Sequence, residues 1–178
     1  DDMLAHVLKA ALAQAPSLKA TTKDMSEAQI MAALGLPNVP AEGRFFPDTY
    51  HYSRGATDMT VLRAAQQMLQ KKLEAAWAER AKDVPLKSID EALIMASIVE
   101  KETGLESDRT KVSSVFNNRL RIGMPLQTDP TVIYGLGESF DGNLRKRDLQ
   151  TDTPYNSYTR GGLPPTPMPS TPGGHQPA

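Results

Sequence analysis

Two glutamates, Glu100 and Glu102, close the stretch of sequence that reads as the most apolar helix of the chain. Placed on a wheel at about 100° per residue, Ile89, Ala92, Leu93, Ile94, Met95, Ala96, Ile98 and Val99 cover nearly the whole circumference. One polar arc is left, holding Asp90, Ser97 and Lys101. Glu100 falls about 20° from Ile89, within the Leu93/Ala96 face, and Glu102 falls near ~220°, between Ile98 and Met95. Both carboxylates are therefore expected in apolar surroundings on opposite sides of the helix. A glutamate is seldom buried unless it is paired or working. Desolvation and the negative end of the helix dipole both favour the protonated form, which suits a general acid at neutral pH. The alternative on the same residues is that both fray into solvent at the helix end. The following helix separates the two glutamates: Val112, Val115, Phe116, Leu120 and Ile122 form its apolar arc, and Arg119 falls inside that arc. A buried guanidinium needs an anion, and a short connection should pack the two helices together. The spacing thus pairs Arg119 with Glu100 and leaves Glu102 as the unpaired acid facing a cleft.

Other chemistries are narrowed by composition. The chain has no cysteine, which removes thiol nucleophiles and disulfide scaffolds, and its three histidines, His6, His51 and His175, have no metal-ligand spacing. No metal and no cofactor are expected. Twenty basic residues against 21 acidic ones give a net charge of −1, so no overall field holds the chain to a polyanion. Arg145-Lys146-Arg147, with Asp148 beside it, reads as a solvated surface, and no nucleic-acid partner is expected. No apolar run approaches the ~18 residues of a membrane span, and the opening DDMLAH lacks the basic start of a signal peptide.

These 178 residues, 39% of them hydrophobic, suffice for one globular domain or one and a half. Residues 2–15 have helical spacing up to Pro16, and Ser26 with Gln29 forms a capping box ahead of Ile30, Met31 and Leu34, stopped by Gly35 and Pro37. Glu42–Tyr52, aromatic and interrupted by Pro47, reads as short edge strands or an extended loop, and Arg54-Gly55 as a junction. A long amphipathic helix is predicted from a Thr57/Asp58 cap to about Lys82. Ser88 and Glu91 open the glutamate-bearing helix, which Gly104 stops, and the next helix runs from Ser107 to near Gly123. Asp129 is read as a cap followed by Pro130 in the first turn. Seven prolines beyond Thr153 make the C-terminal stretch a loop or a disordered end.

Five motifs stand in one order: FPDTY, SIVEKET, NRLRIGMPLQTDPTVIYG, YNSY and GLPP. Together they resemble the endolytic murein transglycosylases of the MltG or YceG-like type, over roughly Glu42 to Pro172. The resemblance implies an enzyme that cuts glycan strands of bacterial peptidoglycan between N-acetylmuramic acid and N-acetylglucosamine without water, leaving 1,6-anhydromuramic ends. One carboxylic acid protonates the glycosidic oxygen and then takes the proton of the muramic C6 hydroxyl, whereas ordinary glycoside hydrolysis uses a second carboxylate. Lytic transglycosylases carry the acid at a helix end in a glutamate-serine pair, to which Glu102-Thr103 is similar, so Glu102 is the implied catalytic residue.

The motifs also imply substrate contacts. Gln127, Thr128 and Asp129 stand at a helix N-terminus whose free N–H groups can face sugar hydroxyls or acetamido groups, with plain capping by Asp129 as the alternative. Tyr155 and Tyr158 offer aromatic faces to sugar rings and Asn156 an amide to an N-acetyl group, with a tyrosine-anchored loop as the alternative. FPDTY (Phe46–Tyr50) is expected to pack the N-terminal module on the catalytic domain. The implied fold is mainly helical α+β, with a lysozyme-like catalytic domain over residues 54–178, incomplete at its C-terminal end, and a partial LysM-like module over residues 1–53. A membrane-anchoring helix ahead of these residues, an inner-membrane site with the catalytic domain in the periplasm, and cell-wall synthases as partners belong to the same expectation. Competing readings are a muramidase-type hydrolase using Asp129 as second carboxylate, and a peptidoglycan-binding module without turnover.

Overall fold

The computed structural model describes Ala15 and residues 17–169, and the regular structure among them is helical. The helices are Glu27–Ala33 (α1), Asp58–Ala78 (α2), Ile89–Glu102 (α3), Glu106–Arg121 (α4), Asp129–Leu136 (α5) and Lys146–Gln150 (α6), with a 3-10 turn at Gly137–Ser139. The helix expected over residues 2–15 lies outside the described residues. The chain packs as two compact units, Asp1–Lys72 and Leu73–Ala178, so the division falls inside α2. The Arg54-Gly55 junction is a turn within the first unit, closed by the Ala56 N–H on the Ser53 carbonyl at 3.0 Å. No described helix is long and apolar enough to cross a membrane.

The β component of the expected α+β fold is corrected: among the described residues there is no strand, only an isolated parallel bridge between Lys19 and Thr57. The aromatic segment that suggested edge strands spends its backbone groups locally. Phe46 N–H donates to the Ala65 carbonyl of α2 at 3.1 Å, Tyr50 hydroxyl folds back on the Phe46 carbonyl at 2.6 Å, and Pro47 has no N–H to give.

In the first unit the capping box forms as the sequence predicts. The Gln29 N–H donates to Ser26 Oγ at 3.1 Å and the Ser26 N–H to Gln29 Oε1 at 2.8 Å, which fixes the start of α1 and turns Ile30, Met31 and Leu34 into a cluster with Ala41. At the start of α2 the carboxylate of Asp58 is almost fully buried. It accepts from the N–H and hydroxyl groups of Thr21 and Thr22 and from the Met59 N–H. Burial alone would raise its pKa, but the Thr21 and Thr22 hydroxyls and the two N–H groups outweigh it and hold the carboxyl below its usual range. Asp58 thus straps residues 19–22 to the helix start, where the sequence suggested only a cap.

In the second unit α2 ends at Ala78 rather than near Lys82, because Arg80 donates its Nη1 to the Trp77 carbonyl at 2.7 Å and lays its guanidinium on the Trp77 ring. Ser88 Oγ accepts the Glu91 N–H at 3.2 Å and starts α3. The core gathers Ile94, Met95, Ile98 and Val99 of α3 with Phe116 of α4, Leu126 and Met168. Ile98 is wholly buried, a contribution of about 2–3 kcal/mol for a side chain of this size. Met168 comes from the proline-rich stretch, which stays irregular as expected through Pro169 yet contributes to the core. Its N–H donates to Ser97 Oγ at 3.0 Å, and Ser97 in turn donates to the Ile94 carbonyl at 2.7 Å. Ser97, in the polar arc of the wheel, is therefore buried, while Val115 and Ile122, in the apolar arc of the next helix, are 47% and 75% exposed.

Candidate active site

Helix α3 delivers its last residue, Glu102, to the surface. The backbone leaves helical geometry at Thr103, with φ −143° and ψ 134°, so no further turn covers the carboxylate. Glu102 is exposed, which corrects the expectation of apolar surroundings: the wheel assumes a helix that continues past the residue, and this one stops on it. The carboxylate is nevertheless held. Its Oε2 accepts the hydroxyl of Thr128 at 2.8 Å, and Thr128 is only 2% exposed.

Thr128 reaches Glu102 because the connection between α4 and α5 is bent at two left-handed residues, Gly123 with φ 72° and Gln127 with φ 52°. The second is not glycine and carries strain of about 1 kcal/mol. Gln127 points outward and is exposed, while Thr128 turns inward and occupies the N-cap position of α5. Asp129 is thus the first residue of the helix rather than its cap, and the Thr128 side chain serves Glu102 instead of the helix end. The backbone of this bend is tied to the YNSY loop. The Gln127 N–H donates to the Ser157 carbonyl at 3.1 Å, the Thr128 N–H to Ser157 Oγ at 3.0 Å, and Ser157 Oγ lies 3.1 Å from the Thr128 carbonyl. Thr131 of α5 adds its hydroxyl, 2.8 Å from Ser157 Oγ and 2.9 Å from the Thr128 carbonyl.

Tyr158 completes the site by donating its hydroxyl to Asp129 Oδ1 at 2.5 Å. Its pKa is pushed up to about 12, first by burial, then by the hydrogen bond to Asp129 and the negative charges of Asp129 and Glu102, with Arg119 opposing. One hydroxyl therefore feels Glu102, Asp129 and Arg119 together. The ends of α3, α4 and α5 and the YNSY loop converge on a polar surface with two carboxylates.

Among the other residues singled out by sequence, Arg119 donates Nη1 to the Leu126 carbonyl at 2.5 Å, which ties the end of α4 to the segment that leads into α5. Glu100 lies half-buried two residues before the end of α3. Tyr155 packs its ring edge-on to Tyr134 with centroids 5.0 Å apart and shares a hydrogen bond of 2.8 Å with Thr166, so its ring is engaged by the fold. It also borders a pocket of about 240 Å³ with Arg160, Leu163 and Pro164. Asn156 is corrected outright. At 1% exposure its Nδ2 donates to the carbonyls of Leu149 and Thr151 that end α6, and its Oδ1 accepts the N–H groups of Tyr158 and Thr159. No group of its amide is left for an N-acetyl ligand. Sequence reasoning missed Ser157 and Thr131, since a lone serine in a loop and a lone threonine in a helix give no signal until the backbone brings them together.

A family model described as YceG-like matches residues 3–174. The chain belongs to the YceG-like family. It is 41% identical over 130 residues to an endolytic murein transglycosylase of Bacillus subtilis, an alignment that covers 72% of this chain and 35% of that protein. An endolytic murein transglycosylase of Streptococcus pneumoniae is 32% identical over 134 residues, covering 72% of this chain and 24% of that protein. The crystal structure of a putative yceG-like protein from Listeria monocytogenes superposes with a TM-score of 0.72 at 32% identity, covering 94% of this chain and 60% of that one. The chain thus spans about a third of the Bacillus relative's length and a quarter of the streptococcal one's.

Proposed function

We propose that this chain is the catalytic part of an endolytic lytic transglycosylase that cleaves peptidoglycan glycan strands, with Glu102 as the acid and then the base. The observation that carries the reading is the state of Glu102: a carboxylate exposed at a helix end, one oxygen held by Thr128 at 2.8 Å. The names of the Bacillus and Streptococcus relatives supply the substrate class. In this reaction the acid gives its proton to the glycosidic oxygen as the bond from muramic C1 breaks. The C6 hydroxyl oxygen then closes on C1 and its proton passes to the Glu102 carboxylate, which restores the acid. No water is consumed, and the products are an N-acetylglucosamine with a free hydroxyl and a 1,6-anhydromuramic end. Asp129, with Tyr158 donating to it at 2.5 Å, is suited to orient Tyr158 rather than to activate water.

The same reading takes the helices around Glu102 as a lysozyme-like arrangement within a catalytic domain at residues 54–178, and residues 1–53 as a partial LysM-like module. It takes the whole protein as anchored in the inner membrane with its site in the periplasm, beside the murein and the synthases that extend it. The exposed surface around Glu102 supports Gln127, Asp129 and Tyr158 as the residues that meet the sugar, with Tyr155 behind them.

The test is mass spectrometry of soluble products from purified peptidoglycan treated with the chain and with its Glu102→Gln and Glu100→Gln variants. Anhydro-ended fragments lost in Glu102→Gln alone support the reading, and loss in Glu100→Gln alone moves the acid to Glu100. Reducing ends in place of anhydro ends make the enzyme a hydrolase. Glycan binding without any product makes it a binding module.

A further inference from the structure

Thr128 and Ser157 are buried to 2% and 4% exposure, so neither reaches a polymer lying on the surface, yet Thr128 bonds the exposed Glu102 carboxylate and Ser157 bonds Thr128. We infer that Ser157 and Thr128 form a positioning relay that fixes the Glu102 carboxyl and decides which of its oxygens carries the catalytic proton. The inference rests on the transglycosylase reading and adds to it two residues that act through Glu102.

The argument follows the protons. A threonine hydroxyl has one hydrogen to give, and the Thr128 hydroxyl gives it to Oε2 of Glu102 at 2.8 Å. An oxygen that accepts this bond is the carbonyl-type oxygen of the protonated acid and stays an acceptor in the carboxylate. Oε1 is therefore the oxygen that donates to the glycosidic oxygen and later receives the C6 hydroxyl proton. The same bond serves both steps of the cycle without rearrangement, because Oε2 accepts in each.

The hydroxyl of Thr128 can aim only if its backbone is fixed, and that is the part of Ser157. Its Oγ accepts the Thr128 N–H at 3.0 Å and lies 3.1 Å from the Thr128 carbonyl, bracketing the residue from both sides of its α-carbon. Thr131 supplies the second hydroxyl of the cluster, 2.8 Å from Ser157 Oγ, so two hydroxyl protons serve the Ser157–Thr131 contact and the Thr128 carbonyl with none left over. The left-handed Gln127 just before it, with φ 52°, is held by its N–H on the Ser157 carbonyl at 3.1 Å. Ser157 thus fastens a strained bend, the bend aims Thr128, and Thr128 orients Glu102. The burial of a functional acid is replaced by a fixed donor behind it.

Steady-state release of anhydro-ended fragments from purified glycan strands by the 178-residue chain tests the relay. Thr128→Val, which keeps the shape and removes the donor, should lower turnover at saturation by about 10- to 100-fold with KM changed less than about two-fold. Thr128→Ser should recover most of that loss. A raised KM at unchanged turnover would make Thr128 a substrate contact and overturn the relay, as would full turnover in Thr128→Val. The first link is read without turnover: the Thr128 amide hydrogen should exchange at least about 10-fold faster in Ser157→Ala, and unchanged exchange overturns that link. Circular dichroism separates a misfolded variant from a misaligned one, with Thr128→Ala as the second variant to be measured. If the unsubstituted chain yields no anhydro ends while the exchange result holds, the transglycosylase reading fails and the hydrogen-bonded arrangement stands.

Discussion

Replacing Asn156 by alanine decides whether this residue serves the substrate or the fold. Four hydrogen bonds of 3.2 Å or shorter converge on its amide, from Nδ2 to the carbonyls of Leu149 and Thr151, and from the N–H groups of Tyr158 and Thr159 to Oδ1. Alanine removes all four and leaves two donors and two acceptors unmatched at a position that is 1% exposed. At about 1 kcal/mol for each group, with part recovered by water entering the space of the lost amide, the second unit should lose ~3 kcal/mol. That is a large fraction of the ~5–15 kcal/mol that holds a domain together. In urea, with a slope near 2 kcal/mol per molar, the unfolding midpoint should fall by about 1.5 M. Followed by circular dichroism, a midpoint lowered by less than about 0.3 M would refute the argument. If that small change came with a raised KM for glycan strands, Asn156 would be a sugar-binding residue after all.

Asp58 should make the first unit sensitive to acid. Its carboxyl is held below the usual range in the folded state, so its contribution is present above the unfolded value near ~4 and is lost as pH falls through the folded value. Asp58→Asn should therefore be less stable at neutral pH by about 2 kcal/mol and lose part of the acid dependence of unfolding below pH ~4, read by thermal melts across that range. For Tyr158 the sign is reversed: a hydroxyl pushed up to about 12 adds stability that is full below the unfolded value of 10.0 and is lost as pH rises toward 12. Tyr50 is also raised, by burial and by Asp48, so the ultraviolet titration of phenolate formation is compared between the parent and Tyr158→Phe: the difference should be one step near 12, and a difference centred near 10 would reject the assignment.

The helices were legible because their signals are local. The Ser26/Gln29 box, the Ser88 cap and the apolar spacing of Ile94, Ile98 and Val99 act within one or two turns, and each is found where the sequence predicts it. What the wheel could not supply is the neighbour. Ser97 looked solvent-facing until Met168, 71 residues further on, covered it, and Ile122 looked buried although it is 75% exposed. The aromatic segment around Phe46 has strand-like composition, but composition does not reveal that its donors are claimed by Ala65 and by its own turn. At the site, the residue types were legible and their duties were not. Thr128 meets Glu102 and Tyr158 meets Asp129, but the direction of each side chain depends on backbone angles, and Gln127 in a left-handed conformation carries no sequence signature comparable to a glycine.

Gln127 links the two levels. A glycine there would relieve strain of about 1 kcal/mol, yet a glycine is also free to leave the bend, and the unfolded chain would gain entropy by having it. With glutamine the bend persists because Ser157 holds the backbone on both sides of the peptide that follows, and the side chain is left exposed next to Thr128, on the surface where Glu102 is exposed. One strained residue therefore does two things that ordinary geometry would separate: it turns Thr128 inward to hold the Glu102 carboxylate and leaves its own side chain exposed. A site organised in this way does not need to bury its carboxylate. Its backing comes from the start of α5 and the YNSY loop, through the buried hydroxyl groups of Thr128, Thr131 and Ser157.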